Sequence, residues 1–379
     1  MKSKAMRKIW TTILLLAWAA VAAAEPEGGL RTTGSGFLTI AAGKIIGGRD
    51  APAGELGYRC QCFIADYAQG GIYEPGSWQL DADSKLGLQG TIGTEDDRYR
   101  LTGQIVSRGA HRGKVDLEWL YGTAELDSRF TLQLGRKRLP LLTYSEVQDV
   151  GVAIPWVHLS PPVYGWEIVN YNGANLSYRD RWGDWFASAN VFAGSETVHD
   201  SDYEKLFYGL DAQVDVRWSD VVGGELKLSR DIYEIRMVRI QAHDSYRFVS
   251  SGETAFSDPK RLSISGLSLS ADPDNWLLRA EFLSIRRDHH YSGDYSDLVA
   301  AGYRLGAWTP VLSWSRYRQK MNPGAGPAEA FDVGTLVLRY DFAGGAAVKL
   351  QYDSWHDRSQ SGHSTGDHQL LSASYNITF

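Results

Sequence analysis

Residues able to do chemistry are scarce in this chain and poorly spaced for it. Cys60 and Cys62 are its only cysteines, one residue apart in a loop-like stretch. In an exported chain they can close a local disulfide, although so small a ring is strained. A zinc site needs more ligands than the pair supplies. His289-His290 reads as a polar loop tip rather than a metal site. The sequence holds no phosphate loop, no zinc signature and no Gly-x-Ser-x-Gly elbow. No Ser–His pair is placed as a membrane lipase would need it. Asn175-Leu176-Ser177 matches a glycosylation acceptor but falls inside a strand pattern. The chain is therefore expected to be neither an enzyme nor the holder of a cofactor or metal.

What remains is charge, and the elements that would carry it. The formal charge is -6. It falls to about -10 without the basic start, a balance that speaks against a nucleic-acid partner. That start, Lys2, Lys4, Arg7 and Lys8, precedes an apolar run from Ile9 to Val21 and the small residues Ala22-Ala23-Ala24. Residues 1–24 read as a cleaved signal peptide, and 25–379 as one domain. The apolar run is too short to span a bilayer comfortably, and no other stretch is long enough for a membrane helix.

Period-two alternation predicts strands instead. The tail is the clearest example: Leu371, Ala373, Tyr375, Ile377 and Phe379 alternate with Ser372, Ser374, Asn376 and Thr378. A terminal aromatic on a greasy face is the interfacial anchor a membrane barrel needs, so Phe379 is read as anchor and assembly signal. Counting outward gives sixteen such segments, most long enough to cross as tilted strands. Leu206–Trp218 has the most regular alternation. Short turns, expected near Asp96, Ser128, Gly183, Ser219, Asp274, Gly306 and Gly344, alternate with longer loops, so both termini would be periplasmic. Twenty Tyr and 13 Trp suit interfacial girdles. A mean hydropathy of -0.29 is compatible with strands that show lipid one face only. A soluble propeller or sandwich also alternates, but has no reason to sort its loops by length or to end on a buried Phe.

One loop differs. Between Arg138 and Gly165 lie Pro140, Pro155, Pro161 and Pro162, which forbid regular pairing, among many apolar residues such as Leu141, Val150, Ile154 and Trp156. Such a loop must pack on something, and inside a barrel that surface is the inner wall.

The run Leu134–Leu141, with Tyr144-Ser145, Asp149-Val150-Gly151, Pro155-Trp156-Val157 and Val163-Tyr164-Gly165, resembles a porin-like family of Gram-negative proteobacteria. So does Phe63–Tyr67 with Gly70-Gly71-Ile72-Tyr73. The resemblance spans most of residues 34–379 and implies an all-β, sixteen-stranded antiparallel transmembrane barrel, with loop 139–165 folded into the lumen after the fifth strand. It implies a homotrimer in the outer membrane, contacting lipid and lipopolysaccharide and inserted by the barrel-assembly machinery. The expected role is passive diffusion of small hydrophilic solutes and ions. It also implies acidic residues on the loop facing basic ones on the wall, since arcs of charge at a constriction select ions. Glu146 and Asp149 match the first role; Arg136, Arg138, Lys85 and Arg100 match the second. Phase alone puts Arg136 on the lipid side with Phe130, Leu132 and Leu134, unless a bulge at Gly135 turns it inward; otherwise Lys137 faces the lumen. An alternative is a barrel whose loop blocks the lumen, acting as a substrate-selective channel, receptor or structural protein.

Overall fold

The computed structural model describes residues 29–50, 62–209, 211–250, 253–288, 291–324, 328–360 and 366–379. The proposed signal peptide, Cys60 and His289-His290 lie outside them. Cys62 is disulfide-bonded, and Cys60 is the one other cysteine in the chain.

Sixteen strands close a barrel. They are β1 Leu30–Asp50, β2 Lys85–Thr94, β3 Tyr99–Arg108, β4 Val115–Glu125, β5 Phe130–Arg138 and β6 Asn170–Trp182. Then come β7 Trp185–Val198, β8 Gln213–Arg230, β9 Tyr233–Ser250, β10 Lys260–Ala271 and β11 Trp276–Arg287. Completing it are β12 Tyr291–Tyr303, β13 Trp308–Met321, β14 Ala330–Phe342, β15 Ala346–Asp357 and β16 Gly366–Thr378. Each pairs antiparallel with its neighbours, and β1 seals the ring by pairing with both β2 and β16. The closing register sets Phe37 against Thr378, as the alternating tail predicts. Phe379 donates to and accepts from Gly36, at 2.9 and 2.7 Å. Its ring lies over Gly36, where an added Cβ would come within 2.5 Å of it.

The outer face is apolar, as lipid demands. Leu101, Leu117, Leu134, Val191, Leu312 and Leu336 are all exposed there. Exposed Tyr99, Trp182, Tyr233, Trp276, Trp308 and Phe342 gather beside the short turns, at the level where an aromatic ring meets both hydrocarbon and water.

The sequence reading fails locally around β8. Leu206–Tyr208, expected as the start of a strand, instead end a short helix, Asp202–Tyr208, capped by Ser201. Val214, Val216 and Trp218, expected toward lipid, are buried. The expected turn at Ser219 is a bulge within one long strand, because the register with β9 shifts between Ser219 and Val222. The true turn is Asp231-Ile232, where Asp231 takes φ 47°. Likewise β2 begins at Lys85, although period-two alternation predicts a strand from Trp78 to Gly93, and a small hairpin, Phe63–Asp66 with Gly71–Tyr73, precedes it.

A bulge in β4 changes a face. Gln104 pairs with Trp119 and Ile105 with Leu117, leaving Glu118 as the extra residue. Leu117 and Leu120 both stay outside, so Trp119 and Tyr121, expected toward lipid, turn inward instead.

Candidate functional site

The lumen is not empty. The chain from Leu139 to Val169 leaves β5 and folds inside, through turns at Ser145–Val147 and Gly151–Ala153 and a short helix, Pro161–Tyr164. Its four prolines preclude a strand. Its apolar side chains, Leu142, Ile154, Trp156 and Val163 among them, are almost fully buried against Ile240, Ile264, Ile285 and Val333 of the inner wall. The hairpin from Phe63 to Tyr73 joins the same core; the Phe63 ring stands 5.7 Å from that of Trp355 and 5.4 Å from His158. Burial of this much apolar surface is what draws the loop inward.

An irregular backbone so buried must find partners for its carbonyls. Cationic side chains of the wall supply them. Arg236 of β9 donates to Leu142 O at 2.6 Å. Arg339 of β14 donates to Val152 and Ile154 O at 2.9 and 2.8 Å. Lys349 of β15, wholly buried, donates to Gly151 and Trp156 O at 2.6 and 2.5 Å. Gln351 accepts from the Val157 N–H at 2.6 Å. Glu281 of β11 accepts from the Thr143 N–H and the Tyr164 hydroxyl. Glu281 and Arg339 thus grip the loop backbone, and Arg279 bonds the Tyr144 hydroxyl at 2.9 Å.

Charged clusters reinforce the grip. Asp149 is 3% exposed and meets Arg108 at 2.8 Å, Lys85 at 3.4 Å and Arg138 closer still. Glu118, the bulged residue, pairs with Arg108 at 2.7 Å and Arg138 at 3.3 Å. Burial pushes the Asp149 carboxyl up, but Arg108, Lys85 and Arg138 outweigh it and hold it well below the usual carboxylate range. His158 sits between Asp83 at 3.0 Å and Asp353 at 3.3 Å, joining loop, hairpin approach and β15. Burial works to lower its pKa, but the two carboxylates outweigh burial and raise it to about 10.

Hydrogen bonds and ion pairs thus tie the loop to β2, β3 and β5, to β9 and β11, and to β13–β15. Among the described residues no hydrogen bond joins it to β7, β8, Tyr121 or Lys137. On that open arc lies a cavity of about 200 Å³. The wall contributes Trp119, Tyr121, Lys137, Tyr171, Asn175 and Asn190; the loop side adds Pro140 and Glu146, and Arg138 closes the end.

The six residues named for the constriction are scattered by the structure. Glu146 and Arg138 line the cavity. Glu146 is clamped by Arg236 at 2.8 and 3.1 Å. Asp149 and Lys85 lie in the buried cluster behind the loop. Arg100 sits next to the short turn after β2, paired with Glu125 at 2.6 Å. Arg136 bonds the Leu117 carbonyl and Glu196 and, among the described residues, makes no hydrogen bond or ion pair with the loop. No bulge resets its phase, because β5 keeps unbroken register with β4 and β6 through Gly135. Gly135 does take φ 136°, a conformation that favours glycine. Lys137 is the lumen residue, with its ammonium over the Tyr121 ring at 5.3 Å. Trp119 and Tyr121 were hidden by the Glu118 bulge, which reverses the apparent phase of β4 without a glycine or proline to announce it.

A closed barrel with an apolar outer band and a loop folded into its lumen is the architecture of outer-membrane porins, and it spans the outer membrane of a Gram-negative bacterium. No protein-family model matches the sequence, and no curated protein does. Solved structures do. The outer membrane channel DcaP of Acinetobacter baumannii is 12% identical over 94% of this chain and 99% of its own, with a TM-score of 0.58. OmpT of Vibrio cholerae, in trimer form, is 10% identical over 93% of this chain and 100% of its own, at 0.56. The anion-selective porin of Comamonas acidovorans is 13% identical over 92% and 100%, at 0.54. At such low identity the shared property is the fold.

Proposed function

We propose that this protein is a channel for small hydrophilic solutes, that it works as a homotrimer, and that it catalyses no reaction. The observation that carries the reading is the loop tethered inside the barrel, which makes no hydrogen bond to β7, β8, Tyr121 or Lys137 among the described residues and leaves a cavity on that arc. The solute path runs along that arc, between Lys137, Tyr121 and Trp119 on the wall and the Glu146–Arg236 pair at the loop edge. A loop packed on the inner wall narrows the passage, which favours a substrate-selective channel over a wide general one. Asp149, Lys85 and Arg138 act mainly as loop anchors, while Glu146 and Lys137 set the field in the passage.

The trimer is supported by the assembly of OmpT in its trimer form. Planar-bilayer reconstitution of the mature chain should give conductance in steps of three. Folded protein with no conductance at all would favour the blocked-lumen alternative. Deleting the span from Tyr144 to Pro161 should then separate the two, because a narrowed pore widens and conducts more.

A further inference from the structure

The cavity on the open arc has a lining that passage alone does not require. Trp119 and Tyr121 present neighbouring rings, with centroids 6.4 Å apart. Tyr171 completes the aromatic floor and packs, tilted, against Phe192 with ring centroids 5.2 Å apart. Around this floor stand the side-chain amides of Asn175 and Asn190, each able to donate and accept. Asn190 and Ser177 share a hydrogen bond, and Asn190 also donates to Glu225 at 2.5 Å, so the amides are held in place. Flat apolar faces ringed by amides match a sugar ring, which has C–H faces and hydroxyl edges.

Charge narrows the class. Arg138 is paired with Glu118 and Asp149, and Glu146 with Arg236. Among the described residues Lys137 has no carboxylate within ion-pair distance; its ammonium meets only the Gln133 amide oxygen and the Tyr121 ring. Glu146 and Glu225 act on this half-buried cation only from beyond ion-pair distance, which leaves its ammonium open to an anionic ligand group. The cavity's size suits one ring rather than a long chain.

We propose that this cavity is a binding site for a monosaccharide bearing one carboxylate, with its ring on Trp119 and Tyr121 and its carboxylate on Lys137. The proposal rests on the channel reading for its biological use but not for its test. Isothermal titration of the detergent-folded protein with D-glucuronate, D-glucose and acetate reads binding even if no current flows. Glucuronate should bind about tenfold or more tighter than glucose, the difference one charge-assisted hydrogen bond makes, and acetate should give no measurable heat. Lys137→Gln should erase the preference for glucuronate over glucose. Trp119→Leu should weaken both sugars and leave their ratio unchanged. In bilayers glucuronate should interrupt the wild-type current and not that of Lys137→Gln. Equal affinity for glucuronate and acetate would overturn the proposal, as would a glucuronate preference that survives Lys137→Gln. A silent bilayer with intact glucuronate binding would overturn the channel reading and spare the site.

Discussion

Replacing Asp149 by Asn tests whether the loop is held by charge. The substitution keeps shape and a hydrogen-bonding head but removes the carboxylate shared by Arg108, Arg138 and Lys85. Arg108, Arg138 and Asp149 are each less than a twentieth exposed at the side chain, so solvent screens little. Removing one partner of a buried ion pair costs about 3–5 kcal/mol, because the remaining charge stays buried. The lower end applies here, since Glu118 still holds Arg108 and Arg138. This cost falls on the loop, not on the barrel, whose closed hydrogen-bond ladder is untouched. At roughly 1.4 kcal/mol per tenfold, the detached state of the loop should rise about a hundredfold. Single-channel recording should show a noisier current with frequent excursions to higher conductance. Heat-modifiable migration on gels should stay normal, showing an intact barrel. A variant that folds and conducts with wild-type noise and wild-type open level would refute the argument that Asp149 anchors the loop.

Other expectations follow the same physics. His158 has its pKa raised above the ordinary histidine value of 6.5, so its tether is complete below that value and is lost as pH rises through about 10. Loop noise should therefore grow above neutral pH in the wild type, while His158→Gln should be noisy and flat across that range. The depressed carboxyl of Asp149 has the opposite sign, and its grip should survive acid until pH falls well below the usual carboxylate range. Lys349→Met leaves two buried carbonyls without a donor, at about 1–3 kcal/mol each, and amide hydrogen exchange at residues 151–157 should rise while the β15 ladder stays protected. Gly36→Leu displaces the Phe379 ring, and the folded fraction after refolding into detergent should drop relative to wild type.

The fold was legible where lipid imposes it. Membrane strands must alternate, so β1, β10–β16 and the Phe379 tail could be read from period two alone. The reading failed where the wall leaves the membrane's control. Val214, Val216 and Trp218 alternate as cleanly as any lipid-facing strand, yet they are buried inside. Periodicity marks an apolar face without saying which apolar medium it meets. Asp231 makes its turn with no glycine, proline or asparagine beside it, so nothing local marked it. The loop was legible from its prolines and greasy side chains, which demand an inner surface. Its contacts were not, because Arg339 and Lys349 act on backbone oxygens nearly two hundred residues away, and backbone carries no sequence signal.

That last feature bears on how such a channel can change. The wall grips the loop chiefly by its main chain, at Leu142, Gly151, Val152, Ile154 and Trp156. Main-chain oxygens are the same whatever side chain they belong to. Substitutions at loop-edge positions such as Glu146 can therefore retune the passage without unseating the loop, whereas a single change at Lys349 or Arg339 loosens it. Mutational tolerance should be uneven in an unusual direction: permissive in the segment that meets the solute, and strict in the strands behind it.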